Sequence, residues 1–276
     1  MFFRRFFFSS LNLTMNQSSP KKAEALIAFG ANQGDAESTL RKTVESLQNA
    51  PQILELKCSQ AVRTKAITGQ STDDSASQSE YLNAAIRVLT TWNPGELHRA
   101  MIEIEKEFGR ERDEHWAPRT IDLDLLIFGD QQIRSKELTV PHPRMSFRRF
   151  VLEPALDVAA DMVHPESGMT LQQLVDHLEK PTQNIVLATN DASFADAVVA
   201  NVPSTVHVAS TVNAFMTEAV NAKLVVAYFN QTNLDEETEK LTRFAYNFAG
   251  PTLRLDETLG DVHATREILA AIDAMQ

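Results

Sequence analysis

Apolar residues in the first part of the chain recur in patterns that predict strands and helices in alternation. Strand-like runs occur at "KAEALIAFG", "ILELKCSQAVRT", "YLNAAIRVLTT" and "TIDLDLLIF", and the first is expected to end near Phe29 at a glycine-bearing turn. Helical periods follow the first and third runs. The order strand, helix, strand, strand, helix, strand predicts an α+β fold, a ferredoxin-like α/β sandwich, over residues 23–180.

Capping residues set the expected limits of the two helices. Asp35 can cap the first helix, and Asn93-Pro94 has the order expected at the N-cap and first position of the second. Gly109 is expected to end the second helix. The predicted buried stripes are Leu40, Val44 and Leu47 in the first helix, and Leu97, Met101, Ile104 and Phe108 in the second.

The pattern changes after Pro181. Short apolar runs at "NIVLATN", "STVHVAS", "KLVVAYF" and "GPTLRLD" are separated by helical stretches. This alternation predicts a small α/β domain with a mostly parallel sheet over residues 181–276. We expect an accessory role there, in stability or self-association, since its sequence contains no phosphate-binding loop.

Two polar or atypical segments are predicted to lack regular structure. Residues 68–80, "TGQSTDDSASQSE", have no apolar period and are expected to form a flexible loop. Residues 1–22 are expected to be a disordered extension, with Met15 as an alternative start and a targeting segment as the less favoured interpretation.

Charge and cysteine content narrow the classes of partner. The net charge of −11 argues against extensive binding to nucleic acid or to an anionic membrane. Seven arginines nevertheless fall within residues 110–149, so a small anion is the expected ligand there. A run of about 18 apolar residues is absent from the sequence, which argues against a membrane span. Cys58 is the single cysteine, which favours a reducing, cytoplasmic location.

Asp122 and Asp124 interrupt the apolar run "TIDLDLLIF" at alternate positions. Residues two apart in a strand project from the same face, so the carboxylates are expected side by side, with Ile121, Leu123 and Leu125 toward the core. Paired carboxylates favour a bound cation, and Mg²⁺ prefers such oxygen ligands. An amphipathic strand with acids facing solvent is the alternative.

Arginines precede these aspartates in the segment "GRERDEHWAPR". Guanidinium groups bind phosphate oxygens in a bidentate manner. Carboxylates for a metal and arginines for phosphate together indicate phosphoryl transfer. The alternative is a solvated loop in which these arginines pair with Glu111, Asp113 and Glu114.

The motif "WAPRTIDLDLLIFGD" resembles that of the 6-hydroxymethyl-7,8-dihydropterin pyrophosphokinase family. The segments "IAFGANQGD", "YLNAAI", "IEKEFGRER" and "LTVPHPRMSFRRF" follow the same family pattern in the same order, so the resemblance covers about residues 23–178. It implies transfer of pyrophosphate from ATP to 6-hydroxymethyl-7,8-dihydropterin, with AMP as the second product. The chain departs from the pattern in "AVRTKAIT", where an aromatic residue and two prolines are common.

The resemblance also implies roles for individual residues. Asp122 and Asp124 would hold two Mg²⁺ ions and, with Arg110 and Arg119, form the catalytic set. ATP would be bound by Arg110, Arg112, Arg119, His142 and Arg148, and the pterin by Tyr81, Asn83, Trp116 and Phe150. Glu105 would support the architecture near the site, whereas its position alone also fits a surface acid. Without the resemblance, Phe150 would be interpreted as core and His142 as a turn residue. Residues 68–80 and 109–115 would close over the substrates.

Three functions therefore compete: an active pyrophosphokinase with an accessory domain, an inactive protein that binds pterin and nucleotide, and a two-metal phosphohydrolase. The motif favours the first.

Overall fold

Two β-sheets organise the computed structural model, which describes residues 21–67, 79–109, 120–182, 184–202, 205–230 and 234–276. The elements through the first sheet are β1 (Ala23–Ala31), α1 (Ala36–Gln48), β2 (Ile53–Cys58), β3 (Val62–Thr64), β4 (Tyr81–Thr90), α2 (Pro94–Glu107) and β5 (Asp122–Phe128). A small hairpin and two helices follow: β6 (Ile133–Arg134), β7 (Thr139–Val140), α3 (Arg149–Ala159) and α4 (Leu171–Glu179). The second sheet region contains β8 (Ile185–Thr189), α5 (Ala192–Asn201), β9 (Val206–Ala209), α6 (Val212–Glu218), β10 (Leu224–Tyr228), α7 (Glu236–Tyr246), β11 (Thr252–Arg254) and α8 (Gly260–Ala274). The predicted α+β character is confirmed.

The first sheet is antiparallel, with strand order β2-β4-β1-β5 and the short β3 also paired to β4. One face packs on α1 and α2, where Leu97, Met101 and Leu125 are buried in a common cluster. The opposite face packs on α3, since Ala85 of β4 shares a cluster with Leu152. Each strand therefore has two distinct environments.

Both helices of this region begin as the sequence predicts. The Asp35 side chain accepts a hydrogen bond from the Ser38 backbone N–H at 3.0 Å, and α1 starts directly after it. Asn93 and Glu96 form a reciprocal capping box at the start of α2. Gly109 adopts φ +73° just after α2, a conformation that glycine adopts without steric cost.

Two strand boundaries differ from those expected. The run "ILELKCSQAVRT" forms two strands because Ser59 interrupts it: the Ser59 hydroxyl accepts from the Ala85 N–H at 2.9 Å, where a strand would offer a backbone carbonyl. The first strand continues past Phe29 to Ala31, so Gly30 lies inside β1 and the turn comes later, at Gly34 with φ +65°. The short strand β6, which follows the turn at Gly129, pairs with β7 in an antiparallel hairpin.

The second sheet has strand order β11-β10-β8-β9, and all of its pairings are parallel. Each residue of β8 and β10 is buried, because helices cover both faces. The four strands coincide with the four apolar runs of the sequence.

A single hydrophobic cluster, here called the shared core, connects the two sheets. It contains Leu126 of the antiparallel sheet, Leu152 of α3, Leu174 of α4 and Leu187 of the parallel sheet. Helices α3 and α4 pack on each other and contribute to this cluster, and α3 also packs on β4 of the antiparallel sheet.

None of the helices in the described ranges combines the length and the apolar character needed to cross a bilayer.

Candidate active site

Strand β5 presents two carboxylates on the α3-facing side of the antiparallel sheet. Asp122 and Asp124 are partly exposed, and the Asp124 side chain keeps 42% of its surface accessible. Leu123 and Leu125 point to the other face, where they are buried. The predicted division between a polar and an apolar side of β5 is confirmed. The two aspartate Cα atoms are separated by roughly 6.5 Å, the repeat of two strand residues.

A row of three residues crosses the sheet at the end of β5. Gly30 of β1 lies opposite Asn83 of β4 on one side and opposite Asp122 on the other. A Cβ atom at Gly30 would lie 3.7 Å from Asn83 Oδ1 and 3.9 Å from Asp122 Cβ. Glycine therefore leaves a gap between the amide and the carboxylate. These residues (Asn83, Gly30 and Asp122) are called the polar row below.

The Asn83 amide is fixed in place. It is only 6% exposed, and its Nδ2 donates a hydrogen bond to Thr64 Oγ1 at 2.8 Å. Tyr81 lies two residues earlier in β4, on the same face as Asn83, and opposite Thr64. The family resemblance pointed to both Tyr81 and Asn83, whereas no sequence pattern pointed to Thr64.

Glu105 supports β5 from behind. Its carboxylate accepts a hydrogen bond from the Leu123 N–H at 2.8 Å, and the residue is 2% exposed. Since Leu123 separates the two aspartates, this contact ties α2 to the segment that carries them. The interpretation of Glu105 as a surface acid is wrong.

His142 lies beside Asp124. Its backbone N–H donates to Leu126 O at 2.9 Å, which anchors it to β5, and its Nδ1 accepts from the Arg144 N–H at 3.2 Å. Nε2 therefore carries the proton of the neutral ring and faces Asp124 Oδ2 at 3.8 Å, too far for a hydrogen bond. Burial, then Arg148 and Arg144, lower the pKa of His142 to about 3. The ring is neutral at physiological pH, so the contact with Asp124 is not an ion pair.

Arg148 completes the cationic side of the site. Burial, and then the neighbouring Arg144, lower its pKa to about 10, whereas Asp124, Glu267 and Asp122 act in the opposite direction. The group therefore stays charged at neutral pH. Its Cζ lies 5.5 Å from the centroid of the Phe150 ring, within the range of a cation–π contact.

Phe150 lies in the first turn of α3. It is partly buried and packs against the shared core, so one part of the ring is structural. Since α3 packs on β4, Phe150 belongs to the helix that covers the face bearing Tyr81 and Asn83.

Four of the predicted site residues, Arg110, Arg112, Trp116 and Arg119, lie outside the described residues, as does His115. The same holds for 68–78 of the predicted closing loop and for residues 1–20. Among the remaining candidates, the structure brings Asp122, Asp124, Asn83, His142 and Arg148 to one face of the sheet.

The donor set fits a hard cation that also contacts phosphate. Asp122 and Asp124 offer carboxylate oxygens, which Mg²⁺ prefers, and neither is buried. Within the described ranges, His, Cys, Asp and Glu do not gather in threes as in a closed metal site. Two carboxylates next to a cationic group are the arrangement expected where a ligand supplies further oxygens.

Comparison with known proteins identifies the same region. Residues 26–160 match the family model 7,8-dihydro-6-hydroxymethylpterin-pyrophosphokinase. The 2-amino-4-hydroxy-6-hydroxymethyldihydropteridine pyrophosphokinase of Synechocystis is 36% identical over 155 residues, 56% of this chain and 76% of that protein. The enzyme of the same name from Bacillus subtilis is 39% identical over 134 residues, 49% of this chain and 77% of that protein. A folic acid synthesis protein of Pneumocystis carinii is 31% identical over 192 residues, 68% of this chain and 25% of that protein.

The two bacterial relatives are matched over 76% and 77% of their own lengths. The polar row and both aspartates of β5 lie within residues 26–160, the range that the family model matches. The chain therefore belongs to the 7,8-dihydro-6-hydroxymethylpterin-pyrophosphokinase family.

Proposed function

We propose that this chain transfers pyrophosphate from ATP to 6-hydroxymethyl-7,8-dihydropterin, giving the pterin diphosphate and AMP in folate synthesis. The hydroxymethyl oxygen attacks the β-phosphorus, the bond from that phosphorus to the α,β-bridging oxygen breaks, and the hydroxyl proton is released. One observation carries the proposal: the polar row and Asp124 lie together on a sheet face, beside the cationic Arg148.

The carboxylates of Asp122 and Asp124 are proposed to hold two Mg²⁺ ions. When bound, the ions supply positive charge opposite the triphosphate. The contribution of the chain itself is to fix the carboxylates at strand spacing and to keep them accessible. The contact between Glu105 and the Leu123 N–H supports this by holding the backbone between them.

His142 and Arg148 are proposed to contact ATP, together with Arg110, Arg112 and Arg119. The neutral His142 ring offers its Nε2–H as a hydrogen-bond donor, because Nδ1 already accepts from the Arg144 N–H. Arg148 offers a charged, bidentate donor. With Arg110 and Arg119, Asp122 and Asp124 form the proposed catalytic set.

Tyr81, Asn83, Trp116 and Phe150 are proposed to bind the pterin. Asn83 can offer its amide to the edge of a heteroaromatic ring, and Tyr81 and Phe150 offer aromatic faces for stacking. Because Arg148 already lies over the Phe150 ring, the pterin would stack on the face of Phe150 that Arg148 does not use.

The remaining assignments are proposals of the same kind. The strand order β2-β4-β1-β5 supports a ferredoxin-like class for residues 23–180, with residues 181–276 as an accessory α/β domain. Cys58, a partly buried free thiol, supports a reducing, cytoplasmic location. Small-molecule substrates rather than nucleic acid are the proposed partners.

Self-association is proposed for residues 181–276. Among the described residues, eight of the ten exposed large hydrophobic side chains fall in this part of the chain. Phe215, Met216, Val220, Phe244 and Phe248 line one groove between α4, α6 and α7, here called the apolar groove. Exposed apolar surface of this kind favours protein contacts.

The product pattern tests the function. Purified protein is incubated with ATP, Mg²⁺ and the pterin alcohol, and nucleotides and pterins are separated by chromatography. We expect AMP and pterin diphosphate in equal amounts. ADP or free phosphate would indicate the phosphohydrolase, and saturable binding without nucleotide turnover would indicate the inactive binding protein.

A further inference from the structure

The last helix of the chain contacts the turn that carries the proposed ATP-binding residues. Glu267 of α8 forms a salt bridge with Arg144, with 2.9 Å between Glu267 Oε2 and Arg144 Nη2. At the end of the same helix, the Met275 carbonyl accepts a hydrogen bond from Arg149 Nε at 2.9 Å. Residues 142–148, here called the phosphate-side turn, and the first residue of α3 thus contact a helix that lies beyond the region matched by the family model, residues 26–160.

The salt bridge is partly shielded from solvent. The Glu267 side chain is 18% exposed and that of Arg144 is 33% exposed. An ion pair at such a position is screened less than one at the open surface. It can therefore orient a side chain more strongly than the exposed pairs elsewhere on this chain, such as Lys106 with Glu103.

Glu267 also balances a concentration of positive groups. The charge of Arg144 lowers the pKa of both His142 and Arg148, whereas Glu267 raises the pKa of Arg148. Without an acid at this position, the two guanidinium groups would repel each other across the phosphate-side turn.

The position of Glu267 is fixed by the packing of its helix. Ala264, Ile268 and Ala271 on α8 are buried in the shared core. Since Ile268 is adjacent in sequence and fully buried, the backbone that carries Glu267 cannot move away from Arg144 without disturbing core packing.

We propose that α8 positions the nucleotide side of the active site, with Glu267 as a positioning residue that restrains Arg144 so that His142 and Arg148 stay directed toward ATP. This inference rests on the proposed function. It assigns to residues 181–276 an indirect part in substrate binding, through Arg144. Restraint is favoured over simple charge screening because Glu267 contacts Arg144 in a defined geometry.

Steady-state kinetics and nucleotide binding on the full chain test the proposal. Glu267→Gln, Arg144→Gln and the double variant are compared by KM for ATP, KM for the pterin, kcat, and Kd for Mg²⁺-ATP measured without pterin. Loss of a half-buried pair is expected to raise both ATP constants roughly threefold to tenfold. The pterin KM should stay constant, and the double variant should be no worse than either single variant, because both remove one contact.

Two further variants serve as controls. Asp261→Asn removes an equal charge from an exposed position of α8 and should leave the ATP constants unchanged. Arg144→Lys keeps a cation opposite Glu267 and should recover part of the loss.

Three results would overturn the proposal. Unchanged ATP constants in Glu267→Gln would show that the contact does not matter. Tighter ATP binding would show that Glu267 only screens charge. Equal losses for ATP and pterin together with a lower unfolding temperature would show a merely structural role. Because Kd for Mg²⁺-ATP needs no turnover, the test remains decisive even if the wild-type chain fails to make pterin diphosphate.

Discussion

Strand β5 of the antiparallel sheet and strand β10 of the parallel sheet both contribute to the core, but they use their two faces differently. In β5, Leu123 and Leu125 occupy one face, whereas Asp122 and Asp124 occupy the other. In β10, all five residues, Leu224–Tyr228, are buried. Helices cover both faces of a parallel sheet. A strand can therefore offer chemical groups along its length only where part of one face is left uncovered, as at the end of β5.

The strand ends of the parallel sheet reinforce this contrast. Ligands of open α/β sheets bind at the topological switch point, where the connections from two adjacent strands run to opposite sides of the sheet. Here this point lies between β8 and β10. At that point, Asn190 donates from Nδ2 to Asn230 O at 2.9 Å and accepts from the Asn230 N–H at 2.8 Å. The Asn190 side-chain amide is therefore hydrogen-bonded to the backbone of Asn230. In the polar row, by contrast, Gly30 leaves a gap between polar groups.

The largest expected effect comes from removing one carboxylate of β5. Asp122→Asn or Asp124→Asn should lower kcat on the order of a thousandfold, because several kcal/mol of charge stabilisation is lost. Stability should stay the same or rise slightly, since the two acids repel each other and are partly exposed. Kinetics and thermal unfolding measure the two effects separately.

Asp130→Asn is the matched control, because Asp130 is an exposed acid just beyond the other end of β5. It should retain wild-type kcat. Turnover above about a tenth of wild type in both site variants would contradict the proposed role of these acids.

A core substitution in the parallel sheet should affect both sheets. Leu187 is fully buried in the shared core, so Leu187→Ala should lower the free energy of unfolding by about 2–5 kcal/mol. Both tryptophans of the chain, Trp92 and Trp116, precede this sheet in the sequence. We expect the denaturant midpoint of tryptophan fluorescence to fall, with kcat of the folded protein unchanged.

Leu234→Ala serves as the control, since Leu234 lies in the same part of the chain but is 39% exposed. Its unfolding free energy should change by less than about 0.5 kcal/mol. If Leu187→Ala left the fluorescence midpoint in place while circular dichroism showed early loss of structure, the two sheets would unfold independently.

Local sequence signals predicted most of the regular structure. Asp35, Asn93 and Gly109 marked helix limits because capping depends on neighbouring residues. The aspartates of β5 were predictable for a similar reason, since strand alternation alone puts them on one face. The four strands of the parallel sheet were visible as uninterrupted apolar runs.

Contacts between distant parts of the chain were not predictable. Gly30 was expected in a turn, because a glycine in a strand has no local signal that distinguishes it from a turn glycine. The resemblance implied that Glu105 supports the architecture near the site, but its position alone also fitted a surface acid, and only its bond to the Leu123 N–H places it in the interior. The pair of Arg144 and Glu267 joins two regions that sequence patterns treat as separate. Phe150, expected from the motif, lies in a helix whose start carries no capping side chain.

Two histidines with lowered pKa values lie in different parts of the molecule. His142 belongs to the site, whereas His164 follows α3, is 5% exposed and accepts from the Ser167 N–H through Nδ1. Burial lowers the pKa of His164 from 6.5 to about 4. The unfolded chain therefore binds the proton first as pH falls, so the stability contribution is complete above about pH 6.5 and declines toward pH 4.

His164→Asn keeps an acceptor for the Ser167 N–H but removes this titration. The difference in unfolding free energy between wild type and variant should shrink by about 2 kcal/mol from pH 7 to pH 5. Denaturant titrations at both pH values measure it. Exposed His263, changed to Asn, is the control. Equal acid sensitivity of wild type and His164→Asn would show that another group causes the decline.

The smallest effect is expected at the apolar groove of the second sheet region. Val220 is 77% exposed beside Met216 and Phe244, so Val220→Asp adds a charge to the surface proposed for self-association without disturbing the core. We expect the average mass of the wild-type chain to rise with concentration in light scattering, and that of the variant to stay at the monomer value.

Val262→Asp is the matched control, because Val262 is 79% exposed but does not line the groove. It should associate like wild type, with kcat unchanged in both variants. A monomeric wild-type chain at all concentrations, or equal loss of association in both variants, would remove the groove as the contact surface and leave α8 as the proposed functional link between the two regions.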